Sequence, residues 1–128
     1  MDARTLVTLL AAGRVAVGTA AFLAPQKFAS GWIGTSAAQP GVSVAVRAYA
    51  VRDLALGVGT LAALGDPTRS RAWLEAGILS DSGDAAATIM ARRELPRLTS
   101  LAVFGVAVGA AWIGAMARAG IAGGDGAA

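Results

Sequence analysis

The chain has 128 residues, enough for one domain, and 55% of them are hydrophobic against 15% charged, well short of the roughly 25% charged residues that water-soluble domains carry. A net charge of +3 and a pI near 10.6 superficially suggest nucleic acid, but the arginines are scattered between apolar stretches and form no basic stripe with interleaved aromatics. With no cysteine and no histidine, disulfides, thiol nucleophiles, thiolate zinc sites, imidazole bases and His-ligated haem are all excluded.

The first predicted span covers about residues 5–24, TLVTLLAAGRVAVGTAAFLA, and closes at Pro25. At 1.5 Å per residue it matches a hydrocarbon core of ~30 Å. The leading MDART is barely basic and Arg14 lies inside the apolar stretch, which favours a retained span over a cleaved signal peptide. Residues 25–41, PQKFASGWIGTSAAQPG, read as a loop because Pro25, Gly31, Gly34, Pro40 and Gly41 punctuate them. Phe28, Trp32 and Ile33 within it suit either an interfacial patch at headgroup level or a plain surface loop. The second span, about 42–64, reads VSVAVRAYAVRDLALGVGTLAAL and stops at the turn signal Gly65-Asp66-Pro67.

The third span, about 71–91, is RAWLEAGILSDSGDAAATIMA, the most polar of the set. Arg92, Arg93, Glu94, Pro96 and Arg97 follow as a basic loop. The fourth span, about 98–117, has twenty residues without a charge and is the strongest membrane signal. Residues 119–128, rich in Gly and Ala, read as a flexible tail. The expected fold is therefore all-α: a membrane-embedded four-helix bundle over residues 1–118, with the lipid bilayer as its main partner. Lys27, Arg92, Arg93 and Arg97 flank one side, and Arg4, Arg69 and Arg118, with Arg71 at a boundary, the other. The positive-inside rule gives no orientation from so even a tally.

Helices in lipid associate through close packing, and small residues permit it. Gly105 and Gly109 stand at GxxxG spacing in the fourth span. Ala11, Gly18 and Ala21 share a face with Arg14, and Asp53, Gly57 and Thr60 share one in the second span. Charges fall at mid-span: Arg14, Arg52, Asp53 and Asp81, with Asp84 one turn beyond Asp81 and about 60° around the helix. A charge at mid-bilayer costs at least ~2.5–3.5 kcal/mol, so opposite signs at one depth point to pairing inside a bundle. The expected pairs join Arg52 to Asp81 or Asp84, with Arg47 balancing the third carboxylate or snorkelling outward. Glu75, near a helix end, reaches water. The cluster reads equally as an ion-pair network that fixes register and as a polar pocket or proton path.

An Arg in the first span, RDLALG at Arg52–Gly57 and the spaced Asp81 and Asp84 together resemble a family of small four-helix bacterial integral membrane proteins related to the DoxX-like group. Over about residues 5–117 the resemblance implies the four-helix architecture, a multi-pass location in the bacterial inner membrane, and Arg14, Arg52, Asp53, Asp81 and Asp84 as the positions of interest. It implies no reaction. Three roles remain open. One is an accessory subunit or scaffold that packs against itself or a larger membrane complex. The second is a protein handling a small apolar ligand or protons through the central charges. The third is a compact enzyme, an isomerase or one modifying lipids or quinones, with Asp81 or Asp84 as general acid or base. No cofactor is expected: the GVG at Gly57–Gly59 lies within a span and lacks the strand-to-helix context of a phosphate loop, and the aspartates lack a clear third metal ligand.

Overall fold

Prolines at 25, 40 and 67 each occupy the first turn of a helix, where a missing N–H costs nothing and a fixed φ helps. In the computed structural model, which describes residues 2–95 and 97–124 (side chains at 35, 97–100, 102–104, 117 and 120–124 excepted), five α-helices form. They are α1 (Ala3–Leu23), α2 (Pro25–Ile33), α3 (Pro40–Ala62), α4 (Pro67–Met90) and α5 (Arg97–Gly124), with a 3-10 helix, Gly34–Ala38, between α2 and α3. No strand occurs among the described residues.

Two expectations need correction. The stretch read as a loop is largely helical: Pro25 starts α2 rather than only ending α1, and Gly34, at φ 66°, ends it in a backbone conformation that glycine adopts without strain. The expected tail is helical through Gly124, with no proline after Arg97 to break α5; residues 125–128 lie outside the described part.

Caps tie the helix starts. Asp2 Oδ1 accepts the Thr5 N–H at 2.7 Å, and this bond holds the Asp2 carboxyl below its usual range, so the cap is lost only as pH falls through that lowered value. Asp66 Oδ1 accepts the Arg69 N–H at 3.0 Å, and Ser70 Oγ donates to the Ala63 carbonyl at 2.6 Å, clamping the α3–α4 turn.

The most extensive packing joins α1 to α3, and α4 to α5 comes next. The faces predicted from spacing are buried, Ala11, Arg14, Gly18 and Ala21 on α1 and Asp53, Gly57 and Thr60 on α3, and Val7 on α1 and Val46, Ala50 and Leu56 on α3 join them. Two glycines set the α1–α3 approach. A Cβ at Gly18 would lie 2.8 Å from the Ala50 carbonyl oxygen, and one at Gly57 2.8 Å from the Ala11 carbonyl oxygen. The GxxxG pair of α5 does not act this way. Neither Gly105 nor Gly109 has anything within 4 Å of a Cβ position, whereas Gly114 meets Ile78 at 3.1 Å.

Charge is buried and large apolar side chains are exposed. The interior is mostly alanine, glycine and charge, with Asp53 4% and Asp81 6% exposed, while Leu23 is 74%, Leu79 76% and Val106 73% exposed. By length and composition one helix among the described residues, α1, is long and apolar enough to cross a membrane; α5 holds a shorter apolar stretch, Gly105–Met116. The other two expected spans lie in α3 and α4, where Arg47, Arg52 and Asp53, and Glu75, Asp81 and Asp84, interrupt the apolar run.

The glycine contacts generate a paired prediction. Gly57→Ala should lower the melting temperature, through overpacking worth about 1–3 kcal/mol. Gly109→Ala, in open space, should be neutral or gain about 0.5–1 kcal/mol of helix propensity. Thermal unfolding followed by helical circular dichroism tests both; equal effects would show that the close approach of α1 and α3 is not limiting.

Candidate functional site

Arg14 sits near the middle of α1 on its buried face. Its Nη1 donates to Asp53 Oδ1 on α3 at 3.0 Å, and its Nη2 to Asp81 Oδ2 on α4 at 2.5 Å and to the Gly77 carbonyl at 3.4 Å. A Cβ at Gly77 would lie 3.2 Å from Nη2, so the glycine makes room for the guanidinium. One turn beyond Asp81, Asp84 accepts from both Nη1 and Nη2 of Arg52, at 2.9 and 2.7 Å, the two-pronged geometry that suits Arg to carboxylates. Arg52 Nη2 also lies 3.9 Å from Asp53, and its guanidinium stands 4.4 Å from the Tyr49 ring centroid, close enough for a cation–π contact.

The structure thus brings Arg14, Arg52, Asp53, Asp81 and Asp84 into one cluster. The Arg52 partner is Asp84, while Asp81 belongs to Arg14. Arg47 stands apart, its Nε donating to the Phe22 carbonyl at 3.3 Å and its guanidinium 6.0 Å from the Phe22 ring. Five residues separate Arg47 from Arg52, which turns it about 140° around the helix. Glu75 is half-exposed, as expected near water, and pairs with Arg118 of α5 at 2.7 Å.

Beside the cluster lies a cavity of about 540 Å³. Asp53, Asp81, Asp84 and Arg14 form its polar part, and Tyr49, Phe28 and Trp32 an aromatic wall. Leu9 on α1 and Val106 on α5 line it as well and are both largely exposed, which puts its mouth between those helices. The rings interlock, with Tyr49 6.2 Å from Phe28 and 5.9 Å, edge-on, from Trp32. Phe28 and Trp32 therefore turn inward rather than forming an interfacial patch or an idle loop. Sequence reasoning missed this wall; its signal was the i, i+4 spacing of Phe28 and Trp32, and of Tyr49 and Asp53, on helical faces.

Chemically, the site holds unpaired groups of both kinds: Trp32 Nε1 and Arg52 Nε have no hydrogen-bond partner among the described residues. Arg14 engages one oxygen each of Asp53 and Asp81, leaving their second oxygens without a hydrogen bond to the described residues. Both Asp84 oxygens are held by Arg52, which suits anchoring better than proton shuttling. Among the described residues no group of three carboxylates is placed to hold a metal ion. No protein-family model, curated protein or solved structure matches the chain.

The pairing predicts unequal costs. Arg14→Leu strands two buried carboxylates and should destabilise by about 3–5 kcal/mol or prevent folding. Arg52→Leu, whose side chain is 36% exposed, should cost less, and adding Asp84→Leu should recover much of that loss. Thermal melts of the single and double variants check the order; an Arg14→Leu protein as stable as the parent would remove Arg14 from the centre of the site.

Proposed function

We propose that the chain is a multi-pass integral membrane protein of the bacterial inner membrane, with α1, α3, α4 and α5 crossing the bilayer, and that it binds a small amphipathic molecule in the cavity beside Arg14. The observation that carries the reading is a 540 Å³ cavity with an apolar, aromatic wall and a few convergent charged groups. Ligand sites have that size and composition, and a cluster serving register alone needs no space beside it.

The exposed apolar surface supports the membrane setting: leucine, valine and methionine face outward, where lipid tails would solvate them. The charges that interrupt α3 and α4 argue for the same setting, because Asp53, Asp81 and Asp84 all meet arginines and so avoid the cost of a lone ion in hydrocarbon. Retention of α1 follows from Arg14. Cleaving this helix would leave Asp53 and Asp81 buried without their main cation. A scaffold role has separate support in the open face of Gly105 and Gly109, to which a second copy's helix can fit. Loss of oligomer size in Gly109→Leu is its test.

The membrane reading predicts pelleting with membranes and resistance to alkaline carbonate. Because the chain has no cysteine, single cysteines at Gly65 and Arg92 report topology, and an impermeant maleimide should label them from opposite faces. Labelling from one face, or recovery without detergent, would reject four crossings. For binding, the Trp73→Phe/Trp112→Phe variant in lipid nanodiscs leaves Trp32 as sole reporter. Its emission should change saturably with at least one of three eight-carbon amphiphiles, 1-octanol, octylammonium or octanoate. Gly13→Phe should abolish the response, since Gly13 lines the cavity and has open space at its Cβ. No saturable change with any of the three would overturn the ligand reading.

A further inference from the structure

We infer that the cavity selects a primary ammonium headgroup, so that the natural ligand is an amine-bearing amphiphile; this rests on the cavity being a ligand site, as proposed above. The charge balance comes first. Two guanidinium groups, Arg14 and Arg52, face three carboxylates, Asp53, Asp81 and Asp84, which with all three ionised leaves one negative charge in excess. Arg47, the nearest further arginine in sequence, is turned away to the Phe22 carbonyl and does not supply the balance. An uncompensated charge in a low-dielectric interior is costly, and a cation entering the cavity removes that cost.

The free carboxylate oxygens point the same way. Asp53 and Asp81 are more than nine-tenths buried and both line the cavity. The oxygens not held by Arg14, Oδ2 of Asp53 and Oδ1 of Asp81, have no partner among the described residues. Ionised carboxylates only accept, and a primary ammonium brings three N–H donors on a compact cation. An alcohol brings one donor and no charge. A carboxylate headgroup brings neither and is repelled by the excess, a built-in rejection.

The rest of the cavity suits the remainder of such a molecule. Leu9, Val17 and Val106 offer an apolar path from the charged end toward the exposed rim, and Phe28 and Trp32 flank it. An amine with an alkyl tail therefore lies head-inward, its nitrogen at Asp53 and Asp81 and its chain along α1 and α5.

The test titrates octylammonium, 1-octanol and octanoate onto the single-Trp32 protein in nanodiscs. Octylammonium should half-saturate the Trp32 response at a concentration at least about tenfold below 1-octanol, the scale of one added charge-assisted hydrogen bond, with octanoate weakest. Asp53→Asn keeps an oxygen for Arg14 and removes the excess charge, and should bring octylammonium to the level of 1-octanol. Should that variant not fold, the ranking in the parent protein decides alone. Equal binding of all three, or tighter octanoate, overturns the ammonium assignment and leaves the cavity as a ligand site. Absence of any saturable response overturns both.

Discussion

A single guanidinium determines how the helices of this protein meet. Arg14 projects from the middle of α1 between α3 and α4, and its two terminal nitrogens each hold a carboxylate on a different helix. Because the fork is rigid and planar, it fixes the rotation and height of three helices at once. A one-residue slip of α3 would turn Asp53 about 100° away. The glycines follow from this constraint: Gly18 and Gly57 let α1 and α3 approach, and Gly77 lets the guanidinium reach the α4 backbone. Buried ion pairs add little net stability; what this one supplies is register.

The cavity is a by-product of the same economy of side-chain size. The buried faces are dominated by alanine and glycine, with Val7 the largest side chain that is fully enclosed, so the interior is filled by backbone approach wherever two helices touch and by little where they diverge. Beside the charged cluster the space lies toward α1 and α5, lined by Leu9 and Val106, and α2 closes one flank by turning Phe28 and Trp32 onto Tyr49. A helix of nine residues is too short to cross a bilayer, yet it decides whether the space beside Arg14 is an open cleft or a walled pocket.

Periodicity made the buried faces legible from sequence: Arg14 with Ala11, Gly18 and Ala21, and Asp53 with Gly57 and Thr60, all lie on buried faces. The gathering of Arg14, Arg52, Asp53, Asp81 and Asp84 was legible too, from equal depth and opposite sign. Partner identity was not, because spacing gives a direction around one helix and says nothing of which helix stands opposite; hence Arg52 meets Asp84 while Asp81 meets Arg14. Of the two places left open for Arg47, beside the third carboxylate or outward, depth alone could not choose; its angle around α3 turns it away from the cluster. Angle also decides in α5, where Gly114, five residues and about 140° beyond Gly109, faces α4 in place of the GxxxG pair. α2 was hidden because Pro25 carries two meanings, the end of one helix and the first turn of the next.

The wide sequence separation of the Arg14 contacts bears on how the chain is made. Asp53 lies 39 residues downstream of Arg14, and Asp81 lies 67. At synthesis rates of about 5–20 residues per second, the second carboxylate emerges roughly 3–13 s after the arginine. With the helices read as membrane spans, the newborn α1 carries an unmatched cation whose placement at mid-bilayer costs at least ~2.5–3.5 kcal/mol. The favourable course in that interval is for α1 to wait at the interface, or within the insertion machinery, with Arg14 in contact with water. Its final depth is then reached only once α3 and α4 have arrived, so α1, made before its partners, is seated after them.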